Sequence, residues 1–305
     1  MYSKILVPLD GSTTAECALP MVRSLARRLA IPVELLGAID LREISRNAAA
    51  SEGLFLDRLL EDQSQRSAEY LGKIAKTLNG VEVKTRGQKG DAAEVIVATA
   101  AADKNTLIVM ATHGRSGLNR FLLGSIAEKV LRASVNPLLL VKANELIVTV
   151  GETPLTSIVV PLDGSDLAES VLPVVTELAQ KLDLEVVLVR AYAIPYGAYS
   201  TGEGFYDPVH LEALLRMLKQ ETFDYLERTV AAIMRKGLTK VSFVAREGLS
   251  ADEIIKFARE TPANLVAMST HGRSGVKRWV LGSVTEAVVR HSGDPVLVLR
   301  AGNEH

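Results

Sequence analysis

The sequence predicts an α/β protein of two repeated domains, each a doubly wound, parallel, five-stranded sheet with helices on both faces. Three observations carry that expectation. First, the chain repeats itself: ILVPLDGSTTAECALP at residues 5–20 returns as IVVPLDGSDLAESVLP at 158–173, 153 positions on. A longer pair, HGRSGLNRFLLGSIAEKVLRASVNPLLLVK from His113 and HGRSGVKRWVLGSVTEAVVRHSGDPVLVLR from His271, lies 158 positions apart, so small insertions separate the copies in their middles. Second, short apolar runs alternate with helix-length segments, the pattern of parallel strands joined by crossover helices. Third, a chain of 305 residues makes two domains at ~150 residues each. A unit of that size folds alone, and two copies are too few for a solenoid. The domains are placed at 1–143 and 156–301.

Each element has its own signal. KILVPL is a continuous apolar run, as in a strand buried on both faces. A helix starts over Ser12–Glu16, with Thr13 and Glu16 at capping-box spacing. VELLGAI is the second strand. The amphipathic stretch from about Leu54 to Leu78 is a crossover helix stopped by Asn79-Gly80. VEVKT is the third strand, Asp91–Ala102 a short helix, TLIVMA the fourth strand, Ser125–Ala133 a helix with Ser125 as its expected N-cap, and PLLLV the fifth strand. The second copy repeats the series with IVVPL, EVVLVRAY, KVSFVA, NLVAMS and PVLVL. Its long helix opens at Asp207-Pro208, with proline at the first helical position. PLLLV and PVLVL fall at sheet edges yet carry no charge or interior proline to block pairing. They are expected to pair with each other and join the copies as an internal pseudo-dimer.

Composition narrows the function. Lys+Arg total 35 and Asp+Glu 36, a net charge of -1, which excludes a strongly basic nucleic-acid binder. No apolar run approaches the ~20 residues of a membrane helix, and MYSKILVPLDGS lacks the pattern of a signal peptide. The expectation is a cytoplasmic protein with neither nucleic acid nor membrane as partner. The one cysteine, Cys17, excludes an internal disulfide and a cysteine zinc site. Its spacing puts it on the apolar face of the first helix. No Gly-x4-Gly-Lys-[Ser/Thr] loop, Gly-x-Gly-x-x-Gly turn or Gly-x-Ser-x-Gly elbow is present.

In open parallel sheets ligands bind beyond the carboxyl ends of the strands, where strand order reverses. Two repeated segments should meet there: Pro8 to Ser12 with Met110 to Gly114 and Gly124-Ser125, and Pro161 to Ser165 with Met268 to Gly272 and Gly282-Ser283. Gly124 and Gly282 admit a ligand close to the backbone, and the helices they precede offer free N–H groups and a positive dipole end to an anion. Arg115, Arg120, Arg273, Lys277 and Arg278 add positive charge. Asp10 and Asp163 suit a ribose hydroxyl or an adenine amino group; the alternative is that they cap a loop. His113 and His271 suit bonds to the loop backbone, and one such histidine per copy is too few for a metal cluster. Met110 and Met268 end buried strands, where packing is the ordinary role and contact with a base the alternative. The aromatic, glycine-containing stretch Tyr192–Tyr206 reads as a loop that caps the sheet or covers a pocket.

These motifs make the chain resemble two tandem universal stress protein domains, over nearly its whole length. The family's nucleotide motif is Gly-x2-Gly-x9-Gly-[Ser/Thr]; the sequence has Ala111-x2-Gly114-x9-Gly124-Ser125 and Ser269-x2-Gly272-x9-Gly282-Ser283. The spacing matches twice and the initial glycine is replaced twice. If that position needs a positive φ, the added Cβ costs roughly 1 kcal/mol; if it needs only space, little is lost. The resemblance implies an adenine-nucleotide alpha hydrolase-like fold. It also implies that Asp10 and Asp163 meet the adenosine portion, and that Ala38 and Ala191 flank the base. Phosphates would be held by Gly114, Gly124, Ser125 and Ile126, and by Gly272, Gly282, Ser283 and Val284.

The expected function is a non-catalytic, stress-related protein that binds ATP or a similar adenine nucleotide in one or both domains, with any Mg2+ carried by the nucleotide. A homodimer of whole chains is a further option, and no protein partner is identifiable. The alternatives are a nucleotide-free interaction scaffold and, on fold analogy alone, a slow ATP-cleaving or adenylyl-transferring enzyme.

Overall fold

The computed structural model describes residues 1–40, 53–112, 123–143, 155–194, 208–270 and 281–300. They fall into two compact units divided between Pro154 and Leu155, with Pro295–Arg300 grouped in the first unit.

In the first unit β1 (Lys4–Pro8), β2 (Val33–Ile39), β3 (Val83–Lys89), β4 (Thr106–Thr112) and β5 (Leu138–Lys142) alternate with helices α1 (Thr13–Glu16), α2 (Leu19–Leu29), α3 (Gly53–Thr77), α4 (Ala92–Ala101) and α5 (Ser125–Ala133). The strand order is β3-β2-β1-β4-β5. All four pairings are parallel, so the order reverses between β1 and β4, and the carboxyl ends of those strands open on the switch point. Ile5, Leu6, Val7, Leu35, Leu36, Ile108 and Val109 are fully buried, as strands covered on both faces require. The sixth strand of this unit is β10 (Val296–Leu299), which pairs antiparallel with β5: Val296 faces Leu140, Leu297 faces Leu139 and Val298 faces Leu138. The two unblocked apolar runs thus pair with one another.

The second unit carries β6 (Ser157–Pro161), α6 (Asp166–Glu169), α7 (Leu172–Leu182), β7 (Glu185–Tyr192), α8 (Pro208–Arg235), β8 (Val241–Glu247), α9 (Ser250–Glu260), β9 (Asn264–Ser269) and α10 (Ser283–His291). Its order is β9-β6-β7-β8, again all parallel. Each repeat therefore supplies five strands. Among the described residues no helix is long and apolar enough to cross a membrane.

Three local expectations are corrected. The cap of α1 is Ser12 and not Thr13: its side chain accepts from the Ala15 amide, so Glu16 lies one residue too far along to complete a capping box. The helix stops at Glu16 and restarts at Leu19 with Pro20 in its first turn, because proline is tolerated there but not further in. The third strand runs Val83–Lys89 where VEVKT was expected; it is largely exposed, so the apolar signal that marks buried strands is missing. At α5 the cap is Gly124, making Ser125 the first helical residue. Cys17 is buried at the end of α1 as its spacing implied.

Glu34 is the one buried carboxylate in this sheet among the described residues, and two cations hold it: Lys4 Nζ and Arg86 Nε each lie 2.6 Å away. Burial pushes its pKa up, but the Lys4 hydrogen bond and charge, and then those of Arg86, outweigh it and set the carboxyl below the ordinary 4.5. A depressed folded pKa contributes stability above the unfolded value, and that contribution disappears as pH falls through the folded value. Glu34→Gln is expected to cost about 1 kcal/mol at neutral pH, discounted because Arg86 is half exposed. Its urea-unfolding stability should also fall less steeply than wild type below pH 4.5. Parallel curves for the two proteins would remove Glu34 from the acid response.

Candidate functional site

The loop after each first strand is built the same way in both repeats. Gly11 and Gly164 take φ +85 and +84, a left-handed turn that a Cβ disfavours. That turn brings the Ser12 amide to 2.9 Å from Asp10 Oδ1 and the Ser165 amide to 2.9 Å from Asp163 Oδ1. Ser165 Oγ donates to the same oxygen at 2.6 Å. Each aspartate therefore braces its loop, as the alternative reading had it, while standing at the carboxyl end of the first strand. A tyrosine fixes the short helix that follows. Tyr70 donates to Glu16 at 2.9 Å and Tyr225 to Glu169 at 2.8 Å. Burial first, then the bonded carboxylate, pushes both phenol pKa values up, so both hydroxyls remain donors.

In the second unit a cavity of about 540 Å³ opens at the switch point, within the range typical of small-molecule sites. Pro161 and Asp163 line it from the end of β6, Ala191 from β7, and Met268 and Ser269 from β9; Gly282, Ser283 and Val284 line it from the start of α10. All the sequence-assigned residues of this repeat that lie within the described residues are thus brought to one place. His271 and Gly272 lie outside the described residues.

The donor set is main-chain. Gly282, at φ -61 and ψ 142, caps α10 without a side-chain hydrogen bond, whereas α1, α4 and α6 are capped by Ser12, Asp91 and Ser165. The first-turn amides of a helix have no intrahelical acceptor, and the dipole favours negative charge there. The cap therefore presents donors to the cavity that fit a phosphate.

In the first unit Pro8 ends β1, Asp10 stands just beyond it, Ala38 lies near the end of β2, and Met110 and Ala111 near the end of β4. Gly124, Ser125 and Ile126 open α5, again without a side-chain cap. His113 and Gly114 lie outside the described residues, as do Arg115, Arg120, Arg273, Lys277, Arg278 and most of the loop after Tyr192. Ala111 and Ser269 are strand residues, and neither is among the positive-φ positions of the described chain. Their Cβ atoms impose no backbone strain, so only space is at issue where the motif's glycine is replaced.

Sequence reasoning missed several residues of the second cavity. Arg190 lines it from β7, with Nη2 3.4 Å from Glu221 Oε1 and Cζ 4.7 Å from the Tyr225 ring centroid. Leu218, Glu221 and Thr222 line it from α8, and Leu249, Ser250 and Ile254 from α9 and its cap. The signal available was departure from the repeat: Arg190 stands where the first copy has Gly37, and Leu249 where it has Asp91.

Comparison with known proteins agrees with this fold. A model of the universal stress protein family matches residues 1–142 and 155–300. A universal stress protein of Methanocaldococcus jannaschii is 36% identical over 155 residues, 47% of this chain and 96% of that protein. One of Mycobacterium bovis is 24% identical over 242 residues, 79% of this chain and 78% of that protein. The crystal structure of a universal stress protein from Archaeoglobus fulgidus matches 99% of this chain and 100% of its own with a TM-score of 0.69. At 21% identity that likeness is one of fold.

Proposed function

Because the chain belongs to the universal stress protein family, with a family match over each repeat, we propose that it is a non-catalytic, stress-related cytoplasmic protein that binds ATP or a similar adenine nucleotide in one or both repeats. One observation carries the reading: residues picked from the sequence for phosphate, sugar and base line a single cavity in the second repeat, beside a helix start whose cap is left to main-chain amides. Gly282 to Val284 would hold phosphates, Asp163 would take a sugar hydroxyl, and Ala191 would flank the base. The cavity's two carboxylates among the described residues are Asp163, bonded by Ser165, and Glu221, paired with Arg190. That both carboxylates are engaged by neighbouring side chains supports binding without turnover. Mg2+ would arrive on the triphosphate.

The test is direct. Full-length protein is expected to show a rise in unfolding midpoint with millimolar MgATP, equivalent to about 2.7 kcal/mol at a hundredfold excess over Kd, and to release no phosphate above background. No shift, together with no nucleotide recovered from heat-extracted protein, would leave the scaffold reading in its place. Steady phosphate release lost on Asp163→Ala would make it an enzyme.

A further inference from the structure

Of the residues at which the second cavity departs from the equivalent place in the first repeat, two work against the fold. At Gly37 helix α3 packs directly on β2: an added Cβ would strike the Ser67 hydroxyl and come within 3.3 Å of Leu71 Cδ1. In the second repeat that position is Arg190, a charged side chain only 8% exposed. A buried guanidinium has five donors to satisfy and carries a desolvation cost. The hydrogen bond found for it among the described residues is a long one, to Glu221 at 3.4 Å. The second change is at the cap of the helix after the third strand. Asp91 accepts from the Ala93 and Glu94 amides. Leu249, at the same place after a glycine of near-identical φ (+143 and +142), makes no cap bond and is 70% exposed. A capping bond has been exchanged for an apolar side chain in water. Both replacements line the same cavity.

We propose that Arg190 and Leu249 contact the bound ligand and give the second repeat its own recognition of a nucleotide base: Leu249 covers the apolar face of the ring and Arg190 donates to an acceptor nitrogen on its edge. The inference rests on the nucleotide reading of this cavity and adds which side chains read the base that Ala191 would flank. The first-turn main-chain donors that follow Gly282 serve the anionic end. Leu249, Ile254, Leu218 and Tyr192 also line the cavity, and their apolar surfaces suit a planar ring and not a phosphate. Burying the ring restores what the exposed leucine gives up, and an acceptor on the ring satisfies donors that Glu221 does not.

The experiment measures ATP and adenosine by calorimetry on the full chain carrying Gly124→Val, so that the second cavity is read alone. Arg190→Met keeps the side chain's length and removes its donors. Glu221 is largely exposed and stays hydrated when its partner is lost, so the fold is expected to persist. Affinity should fall about tenfold or more for both ligands. Leu249→Asp should weaken both severalfold and yet raise the unfolding midpoint of ligand-free protein, because it restores the cap that Asp91 makes. A purely structural role cannot give those opposite signs. Wild-type affinities in both variants would overturn the inference and leave the nucleotide reading intact. Loss of ATP with adenosine unchanged would also overturn it, assigning Arg190 to a phosphate. Failure of the Gly124→Val protein itself to bind either ligand would bring down the second-cavity reading and this inference together.

Discussion

Gly282→Val is expected to lower nucleotide affinity in the second repeat by about 100-fold or more while leaving the fold in place. Gly282 has φ -61 and ψ 142, a conformation any residue adopts, and its own amide already donates to the Thr270 carbonyl at 2.8 Å. Valine therefore meets no backbone strain. As a helix cap it is poorer than glycine, a loss of about 1 kcal/mol or less. A side chain at this cavity-lining position is, however, expected to crowd the first-turn amides where they must approach the ligand. Losing two charge-assisted hydrogen bonds at ~1.5 kcal/mol or more each gives the hundredfold figure. Calorimetric titration with MgATP in a Gly124→Val background reads the second cavity, and urea unfolding reads the fold. Unaltered affinity in the Gly282→Val protein would mean that the start of α10 does not hold the phosphates.

The parts of this protein that were legible in its sequence are those where burial imposes a pattern. Strands such as Lys4–Pro8 and Glu185–Tyr192 are covered on both faces and read as continuous apolar runs. The cavity's backbone elements were legible because they are repeated at fixed spacing. What escaped had no such pattern. Strand β3 is exposed along most of its length, so Arg86, Gln88 and Lys89, with Gly87 among them, look like loop. The cap of α1 escaped because Ser12, Thr13 and Thr14 are all capping residues in sequence, and only the turn at Gly11 decides that Ser12 serves. Arg190 and Leu249 escaped for a different reason. An arginine inside an apolar strand and a leucine in a loop are each unremarkable alone; they become informative only against Gly37 and Asp91, once strand register fixes which residues correspond. Local composition reports the fold, whereas the difference between the copies reports the site.

Leu297→Asp is expected to destabilise the first compact unit by about 4 kcal/mol or more, although residue 297 lies far from that unit in sequence. Leu297 is 1% exposed and sits opposite Leu139 in the antiparallel β5–β10 pair. Removing a buried leucine costs 2–5 kcal/mol, roughly, and an unpaired carboxylate in its place adds desolvation. The consequence is topological as well as energetic. β5 presents Leu138, Leu139 and Leu140, all buried, and without β10 its outer edge is an unprotected apolar template of the kind that drives association. Native-state hydrogen exchange should therefore show Leu138–Val141 losing protection, and the variant should self-associate as concentration rises. Val135→Asp is the control: Val135 is 43% exposed, and its substitution should change stability by no more than about 0.5 kcal/mol. Register supplies a sharper criterion, since a shift of one residue sends a side chain to the opposite face of the sheet. Cysteines introduced by Leu139→Cys and Leu297→Cys should cross-link on mild oxidation, and Leu138→Cys with Leu297→Cys should not. Cross-linking of the second pair in preference to the first would refute the observed pairing and, with it, the protected edge on which the expected loss of stability depends.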